Sequence, residues 1–293
     1  MKHYNIAFVG MGSIGKRHLK NVCQLIASQG DTCSIDLYRS SMNRELTEDV
    51  KELVTNQFLC SQDVQREYDM VFITNPTSLH LETAVKFRPY AKAFFIEKPV
   101  FDISEVEEST IALLDGIPSY VACPLRYNPV LQYVKQHVDL KEVISVRAMS
   151  SSYLPDWRPG QDYRETYSAH AELGGGVDID LIHEWDYLTW IFGMPTKCLG
   201  IAGRFSNLEI NSNDTALYVA KNDKLTYELH LDYFGRKTQR TLDIFTQEDT
   251  IQCDIVCGTV SYLKEGRTID FNSERNAFQM AEIQHFFDIA EGR

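Results

Sequence analysis

Between Glu172 and Asp186 the chain reads ELGGGVDIDLIHEWD, a glycine turn followed by Asp178, Asp180, His183 and Asp186. A histidine oriented by a carboxylate can take or give a proton near neutral pH. On one helix, residues three apart are neighbours, so Asp180 and His183 share a face, as do His183 and Asp186; Asp178 shares it less well and is the alternative partner. The competing reading makes Asp178 a helix cap and His183 a satisfied core histidine. Asp, Asp and His could also ligate a divalent ion. The chain has no HExxH, no second histidine at helical ligand spacing and no cysteine pair, so no metal is expected.

A second group of residues lies upstream. GMGSIG, from Gly10 through Gly12, Ser13 and Ile14 to Gly15, follows the apolar run YNIAFV and opens a helical pattern. In that context glycine spacing marks a dinucleotide site: Gly10 permits a tight turn, Gly12 lets the backbone approach a pyrophosphate, and Gly15 lets the helix lie on the strand. The helix amino terminus, with Ser13 and Ile14, then faces the anion. An acid about 20 residues further on would hold the adenosine ribose. Here the second strand ends Tyr38-Arg39-Ser40-Ser41, and the nearby carboxylate, Asp36, sits inside the strand. Arg39, Ser40, Ser41 and Arg44 suit a 2′-phosphate, so NADP is expected ahead of NAD, unless Arg39 is a solvated turn residue.

Asn75-Pro76 ends the fourth strand, where a nicotinamide ribose would lie, and His80 follows as either a cofactor contact or a satisfied helix start. Glu97-Lys98-Pro99 comes directly after the strand FFI. A lysine there, at the mouth of a nucleotide site with Glu97 beside it, can donate a proton to a carbonyl or orient a hydroxyl. The alternative is an exposed Glu97–Lys98 ion pair. The loop SSSYLPDWRPGQDYRETYSAH, residues 150–170, offers Trp157, Arg158, Tyr163 and Arg164 to stack on a sugar and grip a carboxylate or phosphate, or else it is a packing loop. Arg126 and Tyr127, in PLRYNP, are a further candidate pair for substrate.

These residues need elements to position them. Up to about residue 120, short apolar runs (YNIAFVG, TCSIDLY, DMVFITN, AFFIEKP, SYVAC) alternate with helical stretches, among them Ser13–Ser28 and one from Ile103 to Leu114. That alternation implies α/β architecture with a doubly wound parallel sheet, its ligands at the carboxyl ends of the strands. Beyond it come a helix at Val130–His137, a helix opening near Gly176, and then strand-like segments with turn punctuation at Lys221-Asn222-Asp223-Lys224. The second half therefore reads as α+β with a largely antiparallel open sheet. The domains expected are 1–122, binding NAD(P), and 123–293, for substrate.

Composition narrows the partners. With 293 residues, 44% of them hydrophobic, the chain can build two cores. A net charge of −12 without a basic run argues against nucleic acid and against an anionic membrane surface. No apolar stretch approaches the roughly 18 residues of a membrane span, and the amino terminus reads as a first strand rather than a signal peptide. Seven scattered cysteines without a CxxC fit reduced thiols in a cytoplasmic protein.

GMGSIG, TNPTSLH, EKPV, LRYNP and LGGGVDIDLIHEWD, in this order, resemble the Gfo/Idh/MocA family over the whole chain. The resemblance implies a Rossmann domain and an open-sheet domain that forms homo-oligomers. It also implies hydride transfer between NADP(H) or NAD(H) and a secondary alcohol or ketone of a sugar, nucleotide sugar or sugar acid. Lys98 takes the place of the family lysine and His183 that of the family histidine. The family aspartate, four residues before the histidine, falls at Ile179, which leaves Asp180 and Asp178 as candidates. YLPDWRPGQDYRETYSA and GGGVDIDLIHEWDY further resemble a bacterial branch associated with surface-sugar and nonulosonic acid biosynthesis. Relatives usually continue past the NAFQMAEIQHFFDIAEG segment, so either this branch is short or the sequence is truncated. The alternatives are a nicotinamide-assisted lyase or glycosidase with transient oxidation, and a non-catalytic NAD(P)-binding sensor.

Overall fold

The computed structural model describes residues 1–43, 45–101, 106–271 and 275–293. Arg44 and the expected helix start at Ile103 lie outside the described residues. The chain divides into two compact units, Met1–Ala122 with Gln279–Arg293, and Cys123–Phe278.

In the first unit, β1 (His3–Val9), β2 (Thr32–Arg39), β3 (Asn56–Leu59), β4 (Met70–Ile73), β5 (Phe94–Ile96) and β6 (Ser119–Val121) form one sheet in the order β3-β2-β1-β4-β5-β6. Every neighbouring pair is parallel. β4 and β5 are buried at every position, as strands covered on both faces must be. One face packs α1 (Ser13–Ser28) through Leu19, Val22, Leu25 and Ile26. The other packs α3 (His80–Phe87) through Ala84 and Phe87. The strand order reverses between β1 and β4, the switch point at which such sheets open a crevice. The shorter helices of this unit are α2 (Glu48–Lys51) and α4 (Glu108–Ile111), the latter running on as a 3-10 turn at Ala112–Leu114.

The end of the chain also joins this unit. Within α8 (Arg275–Ala290), Ile283, Phe286 and Phe287 are fully buried in the same cluster as Phe72 and Phe95, and the Phe286 ring stands edge-on 5.3 Å from both of those rings. The sequence reading assigned everything from 123 to 293 to the second domain. Burial against strands about 200 residues earlier decides otherwise, and that is a contact local pattern does not contain.

The second unit is built on an eight-stranded sheet of β7 (Val143–Tyr153), β8 (Lys197–Gly203), β9 (Thr215–Lys221), β10 (Thr226–Asp232), β11 (Phe234–Thr246), β12 (Thr250–Asp254), β13 (Thr259–Tyr262) and β14 (Arg267–Asp270). Its order is β14-β13-β12-β11-β7-β10-β9-β8, with β7–β10 parallel and the other pairs antiparallel. One face is covered by α5 (Pro129–His137) and neighbouring elements: Val130, Leu131, Val134 and Leu188 share a core with Val146, Tyr227, Leu229, Leu242 and Ile244. The opposite face stays open at its β8–β9 end, where the cross-strand pairs Leu199–Val219 and Ile201–Leu217 are exposed.

The single helix expected from Gly176 is two: α6 (Val177–Asp180) and α7 (His183–Phe192). Leu181, at φ −101° and ψ 22°, leaves the helical region between them. Three-residue spacing therefore does not place Asp180 and His183 on one face of a continuous helix. Distant partners, Tyr233 between β10 and β11 for Asp180 and Arg240 on β11 for Glu184, hold these side chains instead.

Candidate functional site

In the first unit the glycine loop is shaped for an anion. Gly10 has φ +92°, and a Cβ there would stand 2.7 Å from the Asn75 backbone, so only glycine fits. Gly12 faces open space and caps α1 without a side-chain hydrogen bond, and the first turn, beginning Ser13-Ile14-Gly15, holds no acid. The leading N–H groups of α1 are thus presented to a negative ligand. Asn75 donates from Nδ2 to Thr83 Oγ1 at 2.8 Å, while its Oδ1 is buried without a hydrogen-bond partner, an acceptor suited to a ribose hydroxyl. Pro76 caps the following 3-10 turn. These features fit a dinucleotide.

At the end of β2, Asp36 is fully buried and already accepts from Arg66, Asn56 and Tyr68. It belongs to the core and cannot hold a ribose. Arg39 donates from Nη1 to Gln57 Oε1 at 2.9 Å, Ser41 Oγ accepts the Asn43 N–H at 3.1 Å, and Ser40 is exposed.

Glu97 is not half of an exposed ion pair with Lys98. It is 8% exposed, and His18 Nε2 lies 2.5 Å from its Oε1. Burial opposes its charge, but the hydrogen bond from His18 and the nearby Lys98 outweigh burial and hold the carboxyl below its usual range. Its Oε2 accepts the Lys98 N–H at 3.2 Å. His80 is 2% exposed, with Nδ1 3.0 Å from the Pro99 carbonyl and Nε2 3.0 Å from the Asn75 carbonyl. Its ring nitrogens are turned to the main chain, and burial lowers its pKa against the pull of those carbonyls.

In the second unit the turn before α6 is forced by packing: a Cβ on Gly175 would stand 2.2 Å from the Tyr167 carbonyl oxygen. Asp178 receives Asn213 Nδ2 at 3.3 Å. Asp180, 5% exposed, accepts the Tyr233 hydroxyl at 2.6 Å, and burial together with that carboxylate raises the Tyr233 phenol well above its usual pKa. Asp186, expected on the histidine's face, is taken by the Arg126 fork, with Nη2 2.6 Å from its Oδ1.

His183 opens α7 with its side chain 15% exposed. Its Nε2 lies 2.8 Å from Arg240 Nη2 and 3.4 Å from Glu184 Oε1. A guanidinium can only donate, so in this contact Nε2 is the acceptor. Glu184 is fully buried; burial opposes its charge, but the Arg240 guanidinium, at 2.8 Å from Nε to Oε1, and the neighbouring His183 hold its carboxyl below the usual range. Tyr187, fully buried beside it, has its phenol pushed far up by burial and by the Glu184 charge.

The 150–170 loop is largely built by its own contacts. Trp157 donates to Ser152 Oγ at 2.9 Å and sets its ring edge-on to Tyr233 at 5.2 Å. Arg158 lies over the Tyr167 ring at 5.3 Å, and Tyr163 OH accepts the Glu209 N–H at 3.2 Å. Leu154, Trp157, Arg158, Gln161 and Tyr163 line one cleft. Arg164 is paired with Asp162 and Glu209.

Sequence reasoning missed His18, Glu184, Arg240 and Tyr233. One signal was available for His18, a polar residue on the apolar face of α1 among Leu19, Val22 and Leu25. For Arg240 there was none, because 57 residues separate it from His183.

Residues 4–113 match the family described as "Oxidoreductase family, NAD-binding Rossmann fold". The chain is 25% identical over 190 residues to the uncharacterized oxidoreductase YrbE of Bacillus subtilis (strain 168), covering 63% of this chain and 52% of that protein. It therefore spans about half the length of that curated relative. Among solved structures, levoglucosan dehydrogenase in complex with NADH matches with TM-score 0.81 at 16% identity, over 99% of this chain and 91% of that one. UDP-N-acetylglucosamine 3-dehydrogenase GnnA from Acidithiobacillus ferrooxidans matches with TM-score 0.76 at 20% identity, over 100% of this chain and 91% of that one. At these identities the two structures share the fold. Over residues 4–113, then, the chain matches the oxidoreductase family with the NAD-binding Rossmann fold, the Gfo/Idh/MocA family that its motifs resemble.

Proposed function

We propose that the protein transfers a hydride between NADP(H) or NAD(H) and a secondary alcohol or ketone of a sugar, nucleotide sugar or sugar acid. The observation that carries this reading is the partly exposed His183, whose Nε2 faces Arg240 Nη2 and is backed by a buried Glu184–Arg240 pair. Gly10, Gly12, Ser13, Ile14 and Gly15 hold the cofactor diphosphate, and Asn75, Pro76, Glu97 and Lys98 its nicotinamide end. Arg39, Ser40 and Ser41 favour NADP. When bound, the nicotinamide supplies the hydride acceptor or donor.

In the oxidative direction the substrate hydroxyl takes the place of Arg240 Nη2 at His183 Nε2 and gives its proton there. Glu184 Oε1, 3.4 Å away, offsets the charge that forms. Asp180 is held by Tyr233, and Lys98 is the proton-handling group proposed for the first unit. Trp157, Arg158 and Tyr163 take the substrate. Arg126 and Arg164 shape the site rather than grip the ligand, because Asp186, Asp162 and Glu209 already occupy their forks.

A panel of sugars, sugar acids and nucleotide sugars, followed by nicotinamide absorbance with each cofactor, tests the reading. A net, substrate-dependent absorbance change supports it. Product without a net change indicates a lyase or glycosidase, and tight NADPH binding with no product anywhere on the panel indicates a sensor.

The open sheet is proposed to join copies of the chain. Leu199 is 80% exposed, Ile201 63% and Val219 62%, adjoining across β8 and β9. Light scattering of Leu199→Lys with Val219→Lys checks this: the double variant runs at a smaller mass than the wild-type chain.

A further inference from the structure

Lys98 stands between two residues that are each held by a buried histidine. On one side, His18 of α1 is 1% exposed and sets Nε2 2.5 Å from Glu97, whose other oxygen accepts the Lys98 N–H. His18 Nδ1 is buried without a hydrogen-bond partner. The carboxylate can only accept, so Nε2–H donates to it. On the other side, His80 of α3 meets the Pro99 carbonyl with Nδ1 and the Asn75 carbonyl with Nε2.

Burying an imidazole costs free energy that an apolar side chain of similar size would avoid. His18 Nε2 and His80 Nδ1 each face a residue adjoining Lys98, while His80 Nε2 faces the Asn75 carbonyl. The far ends of the two struts are also informative. His18 lies on the helix that opens at Ser13 behind the glycine loop. His80 reaches Asn75, whose backbone closes on Gly10. The backbone of Lys98 is thereby tied to both segments that shape the anion cradle.

We propose that His18 and His80 are positioning residues that set the Lys98 ammonium relative to the cofactor segments, His18 through Glu97 and His80 through Pro99. This rests on the reading of Lys98 as a proton-handling group. Neither histidine touches the reacting atoms. A displacement of about 1 Å in a reacting group can cost on the order of 100-fold in rate, so the struts act on turnover rather than on affinity.

The test uses the full chain with the substrate found by the absorbance panel. His18→Leu and His80→Leu keep the bulk and remove the hydrogen bonds, and His18→Gln and His80→Gln restore a donor. Each Leu variant is expected to lower kcat by roughly 10- to 100-fold. KM for the sugar and Kd for NADPH, read by nicotinamide fluorescence, stay within about threefold, a change under about 0.7 kcal/mol. The Gln variants recover part of the loss. In a Lys98→Met background, adding either Leu substitution costs nothing further, because the group being positioned is gone. Unchanged kcat in both Leu variants overturns the proposal, and so does an equal further loss in the Lys98→Met background. Where a Leu variant fails to fold, the Gln variants in the two backgrounds make the same comparison. Full turnover in Lys98→Met by itself overturns the reading of Lys98 instead, which keeps the two failures distinct.

Discussion

Glu97 in the first unit and Glu184 in the second are both buried carboxylates beside a histidine, yet the partners divide the work differently. His18 is sealed at 1% exposure, and its hydrogen bond ends on a carboxylate that in turn holds the Lys98 main chain. His183 keeps 15% of its side chain exposed, while Glu184 is the sealed member and Arg240 supplies a full counter-charge. In the first unit the histidine is a strut and the functional group lies one residue away. In the second the histidine is itself the proposed functional group, and the buried acid and arginine stand behind it. The same residue types thus serve support or chemistry according to which partner reaches solvent.

The largest expected effect follows from that difference. His183→Ala removes the proton-handling group and lowers kcat by about 10²- to 10⁴-fold in steady-state assays. A smaller loss than that of His18→Leu would reverse the assignment of roles. Next comes stability. Arg240→Met strands the Glu184 charge and costs about 3–5 kcal/mol, whereas Glu97→Gln, which leaves no buried charge alone, costs about 1–3 kcal/mol. Denaturant unfolding of the two variants measures this, and equal costs would erase the contrast between the pairs.

Acidification separates the units by a smaller margin. Glu97 and Glu184 both have carboxyl pKa values below the usual range, so their unfolded forms bind protons first. The stability each contributes is present above the ordinary glutamate pKa and lost as pH falls through the folded value. His80, lowered by burial, adds a loss that sets in as pH drops below the ordinary histidine value, and only in the first unit. Thermal unfolding between neutral and mildly acid pH should therefore show a decline that His80→Gln removes. The smallest effect concerns Arg39, outside both pairs: Arg39→Ala reduces the NADPH over NADH preference by about tenfold, roughly 1.4 kcal/mol, and leaves stability unchanged. Fluorescence titration with each cofactor reads it.

What the sequence disclosed follows the range of the interaction. Gly10 to Gly15, α1 at Ser13–Ser28 and the buried runs of β4 and β5 were legible, because a strand, a glycine turn and a helix carry their signals within a few residues. Lys98 stood out as a charge directly after FFI. The break between α6 and α7 was hidden, since the apolar and acidic spacing there suits one helix and the partners of its side chains lie on β11 and the residue before it. The pairing of Arg240 with His183 and the return of α8 to the first unit were hidden for the same reason, each depending on residues far away in the chain. Local chemistry named the glycine cradle and the two residues proposed to handle protons, Lys98 and His183; the contacts around them came from the fold.

The most direct test of the account is nicotinamide absorbance during turnover of the panel substrate, comparing the wild-type chain with His183→Ala. The account predicts reduced cofactor appearing or disappearing in proportion to product in the wild type, with that change falling at least about 100-fold in the variant. Product formed without net change in the cofactor, or an undiminished rate in His183→Ala, would contradict it.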